Sequence, residues 1–320
     1  MSEPLFGRSA ILSVIAPDGR EKRFSGIGDL ARSRIVYENG KPRLVDEVKG
    51  ADPFHITFTV EQTSESNANT ATISVYNINA DSRQFVSQDK LIIALFAGYG
   101  PTPELLFQGT SDDDKTVVAR EGADILTSFQ VGDGRTEMKN AIVNKSFASG
   151  VGLRQIINTA VEALGLGTDP KISDLTDESF ENGITMSGSA KEILDKYVKK
   201  QGLEWSIQNG VLEIKRPTSS VTDETVVLEN LFLTGGNVQG REFTQFLSGT
   251  GLIGIPEKRE KCGIQFTALL NPKIRPGRIV QIKTNRPGFE FDGSFVIRKA
   301  QHSGDNYRGP WYTTAEGVSQ

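Results

Sequence analysis

The chain has 320 residues, 37% of them hydrophobic, with 33 glycines, 36 Lys and Arg, 40 Asp and Glu and a formal net charge of −4. That length supports two or three compact units, each with its own core, and the hydrophobic fraction suits a globular chain and excludes a fibre. The acidic balance argues against a protein that grips nucleic-acid phosphates through clustered cations. No apolar run approaches the ~20 residues of a membrane-spanning helix, and the first residues lack the basic-then-apolar layout of a secretion signal, so folding in a cytoplasm is expected.

Residues 11–16 and 21–24 flank Pro17-Asp18-Gly19, a turn signal that makes the N-terminus a hairpin. Phe54, Ile56, Phe58 and Val60 alternate with His55, Thr57 and Thr59, the period of a half-buried strand. The polar stretch 61–70 is expected to form a long exposed loop to a strand over 71–79. A short helix over 80–88 would turn Phe85 and Val86 inward. Strands over 91–96 and 105–108 follow around GYGPTPE, and two more over 116–120 and 125–131 bring the number to that of a barrel or sandwich.

The pattern changes near residue 141. Leu153, Ile156, Ile157, Ala160, Val161 and Leu164 recur at helical spacing and stop at Gly165, which suits a left-handed C-terminal cap. Ser189 and Glu192 have the spacing of a capping box, opening a helix through Ile193, Leu194, Tyr197 and Val198 to Gly202. Strands over 203–207 and 211–214 flank Asn209-Gly210, the pair that favours a type I′ hairpin turn. The expected organisation is therefore mainly β with an α/β insert: a first β unit over 1–135, a smaller α/β unit over 136–216 and a second β unit over 217–320, with residues 217–225 as linker.

In the last unit, Gly249-Thr250-Gly251-Leu252-Ile253-Gly254 matches the GxGxxG pattern of dinucleotide sites. Residues 257–261 lack an apolar helical stripe and run at once into a strand, so the expectation is a structural glycine turn continuing through Pro256. Ile264, Phe266 and Ala268 alternate with Gln265 and Thr267, and Val280 and Ile282 with Gln281 and Lys283. Between these strands Asn271-Pro272-Lys273-Ile274-Arg275-Pro276-Gly277 carries two fixed φ angles and a glycine, which makes a stiff, shaped corner and a candidate assembly surface. The third unit repeats the first in outline, with residues 72–77 paralleling 264–271, as an internal duplication would.

Catalytic and metal signatures are missing from the sequence. His55 and His302 lie in no ligand-like spacing with each other or with Cys262, the sole cysteine, so His55 reads as a satisfied sheet residue and Cys262 as a small buried or half-buried one. GxSxG, HExxH and P-loop patterns do not occur. Asp112, Asp113 and Asp114 lack the spaced ligands of a calcium loop and read as a solvated turn. No cofactor or metal is expected.

The GLIGIP stretch, the FTALLNPKIRPG corner and the closing HSGDNYRGPW resemble the baseplate hub proteins of contractile-tailed bacteriophages. Further echoes occur at residues 71–79 (ATISVYNIN), at 91–100 (LIIALFAGYG) and in the helix-plus-hairpin unit ending at Arg216. The resemblance implies two tube-like β-barrel or sandwich domains flanking a smaller α+β domain, a homotrimer, and a place in the virion tail between the sixfold tail tube protein and the threefold central spike protein. Tape measure and baseplate wedge proteins would be further neighbours, and DNA would be met only in transit. On this reading Gly251, Leu252, Ile253, Gly254, Pro256, Asn271, Pro272, Pro276, Gly277, Gly304, Asp305 and Trp311 are assembly or structural residues. Asp112, Asp113 and Asp114 are candidates for an acidic wall of the channel. The competing readings are a peptidoglycan-degrading tail-tip enzyme, for which the sequence identifies no carboxylate pair, and a carbohydrate-binding β protein using Tyr307, Trp311 and Tyr312 as an aromatic platform.

Overall fold

The computed structural model describes residues 7–26, 34–38, 41–45, 53–100, 102–111, 116–222, 224–230, 232–238, 241–246, 251–259, 263–284 and 292–319. Asp112, Asp113, Asp114 and Cys262 lie outside the described residues, as do Gly249 and Thr250.

The first β unit comprises β1 (Arg8–Ile15), β2 (Glu21–Ser25), the hairpin β3 (Arg34–Glu38) and β4 (Lys41–Val45), β5 (Ile56–Thr63), β6 (Asn69–Tyr76), α1 (Ala80–Val86), β7 (Ile92–Tyr99), β8 (Glu104–Ser111), β9 (Val117–Glu121) and β10 (Asp124–Asp133). Strand alternation does what the sequence requires: Ile56, Phe58 and Val60 of β5 and Ala71, Ile73 and Val75 of β6 enter one core. Helix α1 is capped by Asn79, whose side chain accepts the Ser82 N–H at 2.8 Å, and it buries Phe85 and Val86. The stretch after β5 departs from expectation. Strands β5 and β6 extend into it, and Ser64 and Asn69 are only 1% exposed, Asn69 bonded to a hairpin of the next unit and Ser64 to the Arg298 carbonyl of the last.

The α/β unit follows as α2 (Arg135–Asn140), β11 (Ile142–Phe147), β12 (Val151–Gly152), α3 (Leu153–Leu164), β13 (Lys171–Ile172), β14 (Ser179–Phe180), β15 (Ile184–Ser189), α4 (Ala190–Lys200), β16 (Glu204–Gln208) and β17 (Val211–Lys215). The apolar stripes of α3 and α4 share a core with Trp205, Leu212 and Ile214 of the β16–β17 hairpin. Gly165 takes the left-handed C-terminal position of α3, and Ser189 and Glu192 form both arms of the capping box on α4. Asn209 and Gly210 both have positive φ, 51° and 75°, as a type I′ turn demands. The antiparallel pair β11–β15 and helix α2 were not legible in the sequence.

The last unit contains β18 (Thr225–Asn230), the hairpin β19 (Phe232–Val238) and β20 (Arg241–Phe246), β21 (Leu252–Arg259), β22 (Gly263–Leu269), β23 (Ile279–Thr284), β24 (Gly293–Asp305) and β25 (Trp311–Ser319). One correction falls here. The stretch expected to be a glycine turn becomes β21 directly after Gly251, whose φ is +81°. The irregularity that its glycine and proline suggested is a register shift between Ile253 and Glu257 within that strand.

The two β units have one strand order. Apart from β2, which adds to the outer side of β1 and has no counterpart, the first runs β1-β7-β8-β10-β6-β5 and the last β18-β23-β24-β25-β22-β21, so strands in corresponding places of the chain occupy corresponding places in the sheet. A separate two-stranded hairpin lies between the first and second of these strands in each, β3–β4 between β1 and β5 and β19–β20 between β18 and β21. One pairing differs in sense: β1 lies antiparallel to β7, whereas β18 lies parallel to β23. The units are joined where β5, the edge strand of the first, pairs with residues 299–305 of β24 inside the last, which makes one continuous 14-stranded sheet.

The cores cross that seam. Leu270 and Trp311 belong to the core of the first unit, and Trp311 is 1% exposed with its ring 5.5 Å from Phe58 and 6.5 Å from Tyr99. Replacing Trp311 by Ala is expected to cost about 3–5 kcal/mol. Denaturation would show the loss, and limited proteolysis would place the new cleavages in the first unit although the substitution lies in the last strand.

Candidate functional site

The point where all three units meet is built on β24. Its residues 293–296 pair with β23 and its residues 299–305 with β5, while β25 runs along the opposite side. The change of partner coincides with a bulge in which Arg298 is the extra residue, since Ile297 faces Gly317 and Lys299 faces Glu316. The carbonyl of Arg298 accepts the Ser64 N–H of the first unit at 2.9 Å. Its guanidinium reaches Glu204 of the α/β unit at 2.6 Å and donates to the Pro217 carbonyl at 3.3 Å. Glu204 also holds the buried ammonium of Lys215 at 2.9 Å.

The proline corner packs beside this bulge as two successive turns. In the first, the Ile274 N–H reaches the Asn271 carbonyl at 3.1 Å with Pro272 at the second position, and the Asn271 side chain accepts the Lys273 N–H at 2.9 Å. In the second, the Arg278 N–H reaches the Arg275 carbonyl at 3.2 Å with Pro276 and Gly277 between, and Gly277 has φ +80°, as a type II turn requires. Pro276 and Gly277 are buried. A Cβ on Gly277 would stand 3.0 Å from Glu213 Oε2, so the corner fits closely only with glycine there. The corner thus faces the α/β unit of its own chain, and Lys273 also pairs with Glu104 and Glu224, each at 3.5 Å. These carboxylates, Glu104 foremost, hold the Lys273 ammonium above its ordinary pKa.

Between corner and hairpin lies a cleft of about 250 Å³, lined among others by Glu104, Asn209, Glu213, Lys273, Arg275 and Arg278. Burial pushes the Glu213 carboxyl up against the opposing pull of Arg278, 4.0 Å away. The hairpin tip is held from the first unit by hydrogen bonds. Asp133, 1% exposed, accepts the N–H groups of Asn209 at 2.6 Å and Gly210 at 2.9 Å. Asn69 donates to the Ile207 carbonyl at 2.8 Å and to Gln208 Oε1 at 3.1 Å, and Gln208 donates to the Thr63 carbonyl at 2.7 Å. Neither Asp133 nor Asn69 drew notice in the sequence. Asn209-Gly210 did, but as a turn, not as a docking point.

The closing loop is stitched to the first unit in the same manner. Asp305 Oδ1 accepts the N–H groups of Tyr307 and Arg308 and lies 3.0 Å from His55 Nε2. Burial opposes the charge, but these partners hold the carboxyl below its usual range. Asn306 donates to the carbonyls of Gly26 and Phe54, and Arg8 to those of Asp305 and Gly309. A Cβ on Gly304 would enter the Phe58 ring, so the strand passes over that ring only with glycine. Of the remaining candidates, Leu252 is buried in the core of the last unit, Pro256 is buried, and Ile253 is 36% exposed. Gly254 lies within β21, and the Gly251 carbonyl accepts the Leu269 N–H at 2.6 Å. Trp311 is buried and turns no face to a sugar, leaving Tyr307 and Tyr312 exposed. His55 stacks on Tyr76 at 4.2 Å. His302 is fully buried with Nδ1 2.9 Å from Thr313, and burial lowers its pKa to about 3, keeping it neutral. Among the described residues no group of His, Cys, Asp and Glu is placed to hold a metal ion, and no helix is long and apolar enough to cross a membrane.

Two β units of one strand order, fused at a shared strand and carrying an α/β unit at the fusion, make up a mainly β fold with large antiparallel sheets. No protein-family model and no curated protein matches the chain. Solved structures similar to it are phage tail proteins and their relatives. The tail protein from Neisseria meningitidis MC58 has a TM-score of 0.57 at 8% identity, covering 98% of this chain and 96% of that one. The 43 kDa tail protein of prophage MuSo2 from Shewanella oneidensis has a TM-score of 0.53 at 12% identity, covering 90% and 97%. An E. coli component of the type VI secretion system, described as structurally similar to the T4 bacteriophage tail proteins gp27 and gp5, has a TM-score of 0.51 at 11% identity, covering 84% and 74%. At such identities the likeness is one of fold.

Burial raises the Asp133 pKa from 3.8 to about 7 against the pull of the two N–H groups. Between those values the folded chain keeps a proton that the unfolded chain has released, so the stability that Asp133 contributes falls as pH rises through this window. Relative to Asp133→Asn, the wild type should therefore lose stability from about pH 4 to about pH 7. Urea midpoints measured for both proteins across that range check the sign, with His302 common to both. Asp133→Ala should cost about 1–3 kcal/mol for each N–H group left without an acceptor.

Proposed function

We propose that this chain is a non-enzymatic structural protein of a phage-type tail, a homotrimeric baseplate hub that joins a sixfold tail tube to a threefold central spike. The observation that carries this reading is the repeated strand order. Each chain holds two like β units, so three chains present six of them, and a threefold ring can then seat on a sixfold tube while keeping a threefold face for the spike. The unit boundaries proposed are 1–135, 136–216 and 217–320, and the main hydrophobic core of each unit supports them, with Leu270 and Trp311 crossing into the first. The fold likeness to tail proteins supports a place in the virion tail. Tube and spike proteins are the expected direct partners, tape measure and wedge proteins the further ones, and DNA passes through the ring without being held.

Light scattering on the purified chain, alone and with the spike protein, together with a cryo-EM map of the assembled tail, tests the hub reading. A threefold ring between tube and spike is expected, and a strict monomer in solution and in the virion ends the proposal. A peptidoglycan zymogram is expected to stay blank, whereas clearing would favour the wall-degrading enzyme. Tight retention of duplex DNA at physiological salt would replace a passive conduit by a DNA-binding protein.

Replacing Pro272 and Pro276 by Ala should cost on the order of 0.4–1 kcal/mol each through the entropy of the unfolded chain. Because the corner sets how the units meet, tail yield should fall further than melting temperature explains. Normal yield from the double variant would make the corner an ordinary loop.

A further inference from the structure

The two β units share a strand order but not a set of partners, and the difference points to a surface. In the last unit, residues 299–305 of β24 have β25 on one side and β5 of the first unit on the other. The corresponding stretch of the first unit is β9. It continues the path of β8 and folds back on β10 across a tight turn, as the second half of β24 folds back on β25. Yet β9 has β10 on one side and, among the described residues, no strand on the other. All five of its residues are exposed, with Val117 at 54% and Val118 at 50%. An exposed edge strand carrying adjacent valines invites pairing unless something covers it.

The complementary vacancy lies at the far end of the sheet. Strand β5, the second main strand of the first unit, hydrogen-bonds to β6 and to β24, whereas its counterpart β21 hydrogen-bonds among the described residues to β22 alone. Ile253 on β21 is 36% exposed, and Glu257, Lys258 and Arg259 are exposed too. The first unit thus offers an edge that lacks its strand, the last unit offers a strand that lacks its edge, and the chain contains one finished example of the joint between them.

We infer that β21 of one copy of this chain adds antiparallel to β9 of the next copy, as β5 adds to β24 within the chain. Joints within and between chains then alternate, each pairing a second strand with a free strand edge, and three copies close a ring of six β units. The contact is head-to-tail, so it pairs the open edges of β9 and β21 in every copy and leaves neither of them open at closure. The inference rests on the trimeric reading above and adds the strands that make the contact. It also accounts for why one edge of β9 is open: in a single chain its pairing strand is missing.

Cysteine cross-linking on the full chain tests it, in a Cys262→Ser background that removes the sole native thiol. One preparation carries Val118→Cys, and a second, differently tagged, carries a cysteine at Ile253, Glu257, Lys258 or Arg259 in turn, which scans the register. After mixing and mild oxidation, the mixed disulfide dimer should form at one or two neighbouring β21 positions, and Val118→Cys alone should give none. Cross-linking of Val118→Cys with itself would mean a two-fold contact through β9 and would overturn the inference. So would the absence of a mixed dimer at every scanned position while light scattering reports a trimer, an outcome that leaves the hub reading standing. A chain that light scattering finds monomeric, in solution and with the spike protein, overturns the inference together with the hub reading.

Discussion

One extra residue in one strand governs how this molecule is put together. A regular strand turns alternate side chains to opposite faces, yet Ile297 and Ala300, three positions apart in β24, both enter the core of the last unit. Arg298 makes this possible by occupying the bulge between them, and a bulge bends its strand and sharpens its twist. The bend carries β24 away from β23 and onto β5, so one strand serves two units. Residues 311–319 follow the same course, with Trp311 in the core of the first unit and Ala315 in that of the last. The first unit is therefore completed by the final residues of the chain.

The α/β unit is attached by other means. Its contact with the β units is largely polar and buried: Asp133 and Asn69 on the hairpin tip, the Lys215, Glu204 and Arg298 chain of charges, and Glu213 facing Arg278. Such contacts add less net stability than an apolar interface of the same size, because each group gives up water to make them. They are demanding in geometry, since a buried donor or acceptor that loses its partner bears the full cost of desolvation. The consequence is a single permitted orientation for the hairpin. The stiff turns around Pro272 and Pro276 set the other wall of the same joint.

A repeated unit in one chain gives a threefold assembly a sixfold character, which is the geometric problem any adaptor between a tube and a spike must solve. The repeat here is not exact. The α/β unit interrupts the chain once, and β18 runs in the opposite sense to its counterpart relative to the neighbouring strand. These departures distinguish the two β units from each other and leave them alike in strand order.

Local chemistry was legible in the sequence where one residue or one period decides the outcome. The alternation in β5, β6 and β22, the stripes of α3 and α4, the capping box at Ser189 and Glu192, the type I′ turn at Asn209-Gly210 and the two turns of the proline corner follow from sterics and hydrogen bonds within a few residues. The likeness of the two β units was visible as a faint echo, because strand order survives changes in side chains that share only a period. What tertiary structure alone decided is partnership. Alternation in residues 299–304 fixes which side chains face inward but not that β5 lies alongside, and nothing local marks Arg298 as a bulge. The buried states of Asp133, Asn69 and Trp311 depend on surfaces brought together from 76, 138 and 253 positions away. A sequence states what each segment needs to bury or to bond; which distant segment meets that need is settled only when the whole chain packs at once.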